Sequence, residues 1–204
     1  MGTRGPVPGF SREQIVTVAV ALADAEGLPA VSMRAIAGTL GTGAGSLYRY
    51  FPSRDALLDR MADAVIGEIP PFPAAADPMD ALLQVARRQL TVYKRHPWLI
   101  EAIQHVQSLG PHGLAYFDHC LGALAPIQAT TTAKFEAVAM ITGVVAMFAR
   151  PQPAGLSFAG VDLARYPNLA AAIQEAAAGA ITPAPNVPDL FERTLRSLLS
   201  GLLT

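Results

Sequence analysis

Apolar residues recur along this chain at three- and four-residue intervals, and the runs break at glycine and proline. Ser11 opens the first run with Gln14 three positions on, the spacing of a capping box. Ile15, Val18, Ala19, Leu22 and Ala23 follow at helical period, and Gly27 ends the run. Ser32 is the predicted N-cap of a short helix carrying Ile36, Ala37 and Leu40. Gly41 stops that helix and Gly43 takes the next N-cap position. Ala44 to Tyr50 is predicted as a further short helix, with Leu47 and Phe51 facing inward at i, i+4 spacing. Ser53 caps a fourth helix, with Asp55 in its first turn, where negative charge suits the helix dipole. Leu57, Leu58, Met61, Val65 and Ile69 form its stripe. Residues 70–78, Pro-Pro-Phe-Pro-Ala-Ala-Ala-Asp-Pro, read as a linker.

Beyond residue 78 the pattern stays helical, and no segment alternates with period two over a useful length. Residues 79–95 place Leu82, Leu83, Ala86, Leu90 and Tyr93 on one side. His96-Pro97 interrupts, and a shorter helix is predicted from Pro97 to about Ser108, with proline at a permitted first-turn position. Another helix starts at Gly110-Pro111 and carries Leu114, Phe117, Leu121 and Leu124. Residues 130–150 form a long helix, apolar almost all round. A Pro/Gly loop at 151–155, a weaker helix around 167–179, a break at 183–188 and a last helix from about Asp189 to Leu203 complete the chain. The predicted fold class is all-α. Residues 1–69 would form a three-helix domain with a connector helix, and 70–204 a larger helical domain.

Composition narrows the function. With 51% hydrophobic and 15% charged residues, the chain has apolar surface for a substantial core plus an oligomer interface. Net charge is −1, and residues 1–60 carry six arginines against five acids. Any nucleic-acid affinity must therefore come from where charge is placed, not from its amount. The single cysteine, Cys120, excludes a disulfide framework and reads as a small buried apolar residue. No signal-type segment opens the chain, and the apolar window 137–149 is shorter than the ~20 residues of a membrane span. A cytoplasmic protein without membrane contact is expected.

Helix, glycine-containing turn and short helix over 32–51 is the arrangement of a helix-turn-helix, whose second helix enters the DNA major groove. Its outer positions are Ala44, Gly45, Ser46, Tyr48, Arg49 and Tyr50. Glycine at 45 costs ~1 kcal/mol relative to alanine in a helix interior. Ser32 can cap its own helix or donate to a phosphate, and Arg34 lies on the exposed side. Ser46, Tyr48 and Tyr50 offer hydroxyls to phosphates, contacts that fix register without reading sequence. Arg49 and Arg34 can pair with guanine O6/N7, while Ala44 and Gly45 offer only apolar contact or close backbone approach. Core packing stands as the other reading of the two tyrosines, since buried rings often let their hydroxyls emerge.

Ser32-x-Arg34-x-Ile36-Ala37-x-x-Leu40-Gly41 is followed by Gly45-Ser46-Leu47-Tyr48-Arg49-Tyr50-Phe51-Pro52-Ser53-Arg54-Asp55-x-Leu57-Leu58. Residues 11–69 thereby resemble the DNA-binding domain of the TetR (tetracycline-repressor) family of bacterial transcription regulators. The resemblance implies that Arg34 reaches DNA and that Arg54 offers a cation beside the DNA-facing tyrosines. His96-Pro97-Trp98-Leu99 and Gly110-Pro111-His112-Gly113-Leu114 are similar, more loosely, to the ligand-binding domain of the subgroup that includes the tetracycline repressor itself. In that subgroup a magnesium-ligating histidine lies two turns beyond the position of His96; here Ile103 stands there, and Pro70 replaces a pocket histidine. No metal and no cofactor are expected.

Candidates for a pocket are Tyr93, His96, Trp98, His105, Phe117, Met140 and Phe148, aromatic and methionine residues with a few polar points; each can equally be ordinary core. For dimerisation, Phe135, Val138, Ala139, Thr142, Gly143, Ala146 and Met147 form a small-residue face on the long apolar helix, which must be buried by something. Phe191, Leu195, Leu198 and Leu202 repeat at 4-3-4 spacing like a coiled-coil seam. Intrachain core is the competing reading for both faces, and the family's four-helix-bundle dimer favours interface. No nucleophile elbow, HExxH or phosphate-cradling loop is present, so no enzyme is expected. The expected function is that of a homodimeric regulator, a repressor released from a palindromic operator in double-stranded DNA by an apolar or aromatic small-molecule effector. A helix-turn-helix activator and a ligand-independent DNA-binding protein are the alternatives.

Overall fold

The computed structural model describes residues 9–71, 77–150, 160–178 and 189–203. Among these the chain forms ten α-helices and no strand. They are α1 (Arg12–Glu26), α2 (Met33–Thr39), α3 (Ala44–Leu47), α4 (Arg54–Ile66), α5 (Pro78–Arg95), α6 (Leu99–Ala102), α7 (Pro111–Ala123), α8 (Thr131–Ala149), α9 (Pro167–Ala178) and α10 (Leu190–Leu202). The loop expected at 151–155 and the break at 183–188 lie outside the described residues, as does the linker segment 72–76.

Local chemistry sets the helix ends. At α1 the capping box is complete: Gln14 N–H donates to Ser11 Oγ at 3.1 Å, and Ser11 N–H donates to Gln14 Oε1 at 2.8 Å. Ser32, Ser53, Thr130 and Asp189 likewise accept from the third residue of α2, α4, α8 and α10. Gly27 and Gly41 close α1 and α2 at φ +82 and +66, where only glycine sits without strain. Packing follows the predicted stripes in the first four helices: Ile15, Ala19, Ile36, Leu47, Phe51, Leu57 and Met61 are buried together.

Three elements differ from expectation. α3 ends at Leu47 rather than Tyr50, because the N–H groups of both Tyr50 and Phe51 converge on Leu47 C=O and turn the chain toward Pro52. The helix predicted to reach Ser108 stops as α6 and a 3-10 turn at Ile103–His105, leaving 106–110 as a non-helical wall. α7 is rotated: Leu114 is 58% exposed, whereas Gly113, Cys120 and Leu124 are buried. The residue without a side chain faces inward because α4 lies against it.

In the second half, α8 packs between α5 and α10. Ala137, Val138, Ile141 and Val145 meet Phe191, Leu195 and Leu199, and the rings of Phe148 and Phe191 contact edge to face at 5.3 Å. Arg87 pairs with Glu192 at 2.6 Å and Arg196 with Asp80 at 2.9 Å, stitching α10 to α5. By length and composition α8 could cross a membrane, but core helices pass the same test; 33% of its apolar window is buried within the chain. Of the rest, Phe135, Met140 and Met147 are exposed apolar side chains.

Candidate DNA-binding surface and effector cavity

Leu47 and Phe51 anchor α3 to the core from beneath, and Arg12 stacks its guanidinium 5.9 Å from the Phe51 ring centre. The outer side presents Tyr48, 53% exposed, with Arg49 and, from α2, Arg34. Arg49 Nε reaches only a 3.5 Å contact with Ser46 C=O, so its guanidinium stays on the surface. Gly43 caps α3 with no side chain, and Gly45 is open on its outer side, where an added Cβ would meet nothing within 4 Å. Ala44 is half-buried and supports the helix start.

Four of the predicted DNA contacts also have partners within the chain. Arg54 turns back: Nε donates to Val31 C=O at 2.9 Å and an Nη to Leu28 C=O at 3.0 Å. Two of its donors thus hold the α1–α2 connection onto α4, while the residue itself remains exposed. Ser46 donates to Gly43 C=O at 2.7 Å and lies 2.9 Å from the Thr42 hydroxyl, so Oγ works mainly inside the turn. Thr42 was not picked out by sequence because hydroxyls in turns carry no periodic signal. Ser32 is engaged as the α2 cap. Tyr50 is half-buried against the core, with its hydroxyl beside Gly9.

Of the three acids of α4, Asp59 and Asp63 lie one turn apart and face the second half of the chain. Asp59 Oδ1 accepts Gln107 N–H at 3.2 Å. Asp63, only 4% exposed, accepts Gly113 N–H at 2.9 Å and lies 3.2 Å from His112 Nδ1. α7 has no cap from its own sequence, since its N-cap is Gly110, and Asp63 supplies one from α4. Gly110 is required there for space: its φ of −83 suits any residue, but an added Cβ would lie 2.2 Å from Asp63 Cγ. Neither acid carries a motif that sequence reading could detect.

Behind this wall lies a cavity of about 370 Å³, bounded by Ile66, Ile69, Tyr93, Ile103, Val106, Leu109, Tyr116 and Phe117, with Gln89, Gln107, Ser108 and Thr142 as its polar points. No side chain that lines it is charged. Gln89 Nε2 donates to Tyr93 Oη at 3.1 Å and to Thr142 Oγ1 at 3.3 Å, and Tyr116 donates to Gln89 Oε1 at 3.0 Å. Burial pushes the Tyr93 phenol up to about 12 and holds that of Tyr116 well above its ordinary value. Both are neutral hydrogen-bonding groups. Cys120, fully buried beside Tyr116, is pushed up to about 11 by burial and stays a thiol.

Of the predicted pocket residues, Tyr93 and Phe117 line this cavity and the others do not. His96 is 5% exposed, held by Asp24 of α1 at 2.7 Å and by Glu68 at 3.2 Å. Trp98 Nε1 donates to the same Asp24 oxygen at 2.7 Å. The pair therefore braces the end of α5 against α1, because Asp24 offers an ionic acceptor that an apolar cavity cannot. His105 is exposed on the 3-10 turn, Met140 is 44% exposed on the outer side of α8, and Phe148 packs on Phe191. Gln89 and Tyr116 were missed because a buried polar residue within a helical stripe looks like an interruption of it.

The predicted interface divides as well. Val138, Phe191 and Leu195 are intrachain core, since α8 and α10 bury them against each other and α5. Thr142 faces the cavity, and Ala139 borders it. Leu198, Leu202 and Ala146 are half-buried. Gly143 and Met147 (52% exposed) remain on the outer side of α8, joined there by Met140, while Phe135 (48%) lies with its ring 6.5 Å from that of Phe117.

This arrangement defines a class: a small helix-turn-helix surface joined by one helix to an uncharged cavity in a helical body. Comparison with known proteins gives the family. Residues 15–61 match "Bacterial regulatory proteins, tetR family", and residues 71–204 match "Tetracyclin repressor-like, C-terminal domain". The chain belongs to the TetR family. It is 41% identical over 155 residues to the HTH-type transcriptional repressor DrrR1 of Streptomyces coeruleorubidus, covering 74% of this chain and 56% of that protein. It is 34% identical over 122 residues to an HTH-type transcriptional regulator of Saccharopolyspora erythraea, covering 58% of this chain and 50% of that one. The chain thus spans about half the length of these relatives. Among solved structures it resembles the TetR family protein ActR of Streptomyces coelicolor in complex with (S)-DNPA, with a TM-score of 0.76 and 26% identity over 95% of this chain and 97% of that one.

Proposed function

We propose that this protein is a homodimeric, ligand-responsive transcriptional repressor, with residues 1–69 as its DNA-binding domain and 70–204 as its effector and dimerisation domain. The observation that carries this reading is the physical join between the two sites: the helix that follows the DNA-facing turn holds the cavity wall through Asp59 and Asp63. Tyr48, Arg49 and Arg34 would face DNA, with two α3 helices entering successive major grooves of a palindromic operator ~34–36 Å apart. Dimerisation would cover the exposed side of α8. The repressor likeness of DrrR1 and the ligand-bound state of ActR support the sign of regulation and the role of the cavity.

An effector that fits the cavity only when residues 106–113 shift would favour the α4 orientation that cannot span the operator. A preference of ~10⁴ between the two states moves the population from 1:99 to 99:1. Gel-shift titration of the purified protein on DNA flanking its own gene tests the reading. Salt-sensitive, sequence-selective retardation is expected; equal binding to unrelated duplex would sink it.

A further inference from the structure

The chain enters α1 along the flank of the helix-turn-helix. An added Cβ at Gly9 would lie 2.9 Å from Tyr50 Oη, Phe10 packs half-buried against the core, and Arg12 sets its guanidinium over the Phe51 ring. Tyr50 and Phe51 are the residues that turn the chain away from α3. Contacts distant in sequence thus fix Arg12 beside the end of α3. Its charge has no partner inside the chain: the exposed residue forms no ion pair and no hydrogen bond among the described residues. Glu13 beside it is held below the usual carboxylate range by its own backbone N–H and by Ser11, and Arg12 adds least. Asp63, across the cleft that Arg12 also borders, already meets His112 and the Gly113 N–H. A cation in the first turn opposes the macrodipole of α1, so the helix gains nothing from this charge. Stacking on Phe51 restricts the side chain in advance, which lowers the entropy cost of meeting an anion.

We infer that Arg12 is a phosphate-anchoring residue of the DNA-binding surface, gripping the DNA backbone beside the end of α3 while α3 reads the bases. The inference rests on the reading of α3 as the DNA-facing element. A net charge of −1 supplies no bulk attraction to DNA, so each phosphate contact depends on a cation placed for it. Arg34 and Arg49 are the base readers of the proposed surface, and Arg54 commits two donors to Val31 and Leu28. Most protein–DNA hydrogen bonds nevertheless go to phosphate and sugar. Arg12 answers that need with a guanidinium that nothing else in the chain engages. It adds affinity and register, not sequence preference, because phosphates are alike under every base pair.

The test is the salt dependence of DNA binding, followed by fluorescence anisotropy of the full-length protein on the DNA flanking its gene and on unrelated duplex, between about 50 and about 200 mM salt. Arg12→Gln is expected to reduce the slope of log K against log salt by about 0.9 for each protomer bound. It should also weaken binding to both duplexes by the same factor, about tenfold for each charged hydrogen bond lost. Arg12→Met, which keeps an apolar stem on Phe51, should do the same and so separates charge from packing. Arg12→Lys, which keeps the charge without the planar stack, should keep the wild-type slope. Lys94→Gln, which removes an exposed cation of α5, should change neither slope nor affinity. A wild-type slope in the two neutral Arg12 variants, or a loss confined to one sequence, overturns the inference. Selective wild-type binding with that unchanged slope overturns the inference alone. Equal wild-type binding to both duplexes with a slope that falls in the Arg12 variants overturns the regulator reading alone. Failure of wild type to bind either duplex overturns both.

Discussion

Arg49 leaves the end of α3 with its guanidinium on the surface, while Tyr48 beside it offers a single hydroxyl. Their consequences differ in kind. Arg49→Ala is expected to remove ~1–3 kcal/mol of discrimination at one base pair and to flatten sequence preference in competition gel shifts. Tyr48→Phe is expected to weaken binding to all sequences alike, because phosphate contacts carry no sequence. If both variants bind like wild type, α3 is not the reading element. Tyr93 yields a pH prediction. Its pKa is raised from 10.0 to about 12 by burial, so the folded protein holds this proton more tightly than the unfolded chain. A raised folded value contributes stability that is complete below the unfolded value and lost as pH rises through the folded one. Denaturation midpoints should therefore fall between pH 10 and about 12, and Tyr93→Phe should remove part of that fall. Both Arg49 and Tyr93 were legible in the sequence as candidates. The bonds of Arg54 were not legible, because the carbonyls of Leu28 and Val31 that accept them come from a distant turn.

At the scale of elements, α4 and α7 meet through one carboxylate and one missing side chain. Gly110→Ala would place Cβ 2.2 Å from Asp63 Cγ, so either the carboxylate leaves or the start of α7 moves. Loss of the contact leaves a buried acceptor unpaired, at a cost of ~1–3 kcal/mol, larger if the group is charged. The expected result is a lower melting temperature together with faster hydrogen exchange at Gly113, while the Asp59 contact to Gln107 persists. Unchanged exchange at Gly113 would mean that Asp63 does not hold this helix end. The sequence announced helix starts through Ser11, Ser32 and Ser53, whose caps are local. It could not announce a cap delivered to α7 from 50 residues away, nor the early end of α3 at Leu47, where two N–H groups share one carbonyl.

For the whole molecule, the uncovered side of α8 is where the proposed dimer would form. Phe135, Met140 and Met147 lie exposed on a helix of which 33% of the apolar window is buried within the chain. A face of this kind is expected to be covered by a second copy. Met147→Glu should shift sedimentation from dimer toward monomer at micromolar concentration, and operator affinity should fall with it, since one α3 alone reads half a site. A variant that stays dimeric would place the interface elsewhere. Leu195 and Phe191, which read equally as seam, are not available to it, because α10 turns them onto α5 and α8.

The sequence by itself determined what depends on neighbours along the chain. Helical period, serine caps and glycine stops defined the helix-turn-helix, the connector helix and the all-α class, because hydrogen bonds and side-chain rows within a helix span only three or four residues. Only the tertiary structure decided which of two apolar faces turns inward, which polar residues gather round the cavity, and which charges are already engaged. Gln89, Tyr93, Tyr116 and Thr142 come from three helices, and Asp24 meets His96 and Trp98 across more than 70 positions. The helix-turn-helix stretch sits between these cases: its placement was local, and the bonds of Arg54 to Leu28 and Val31 were not.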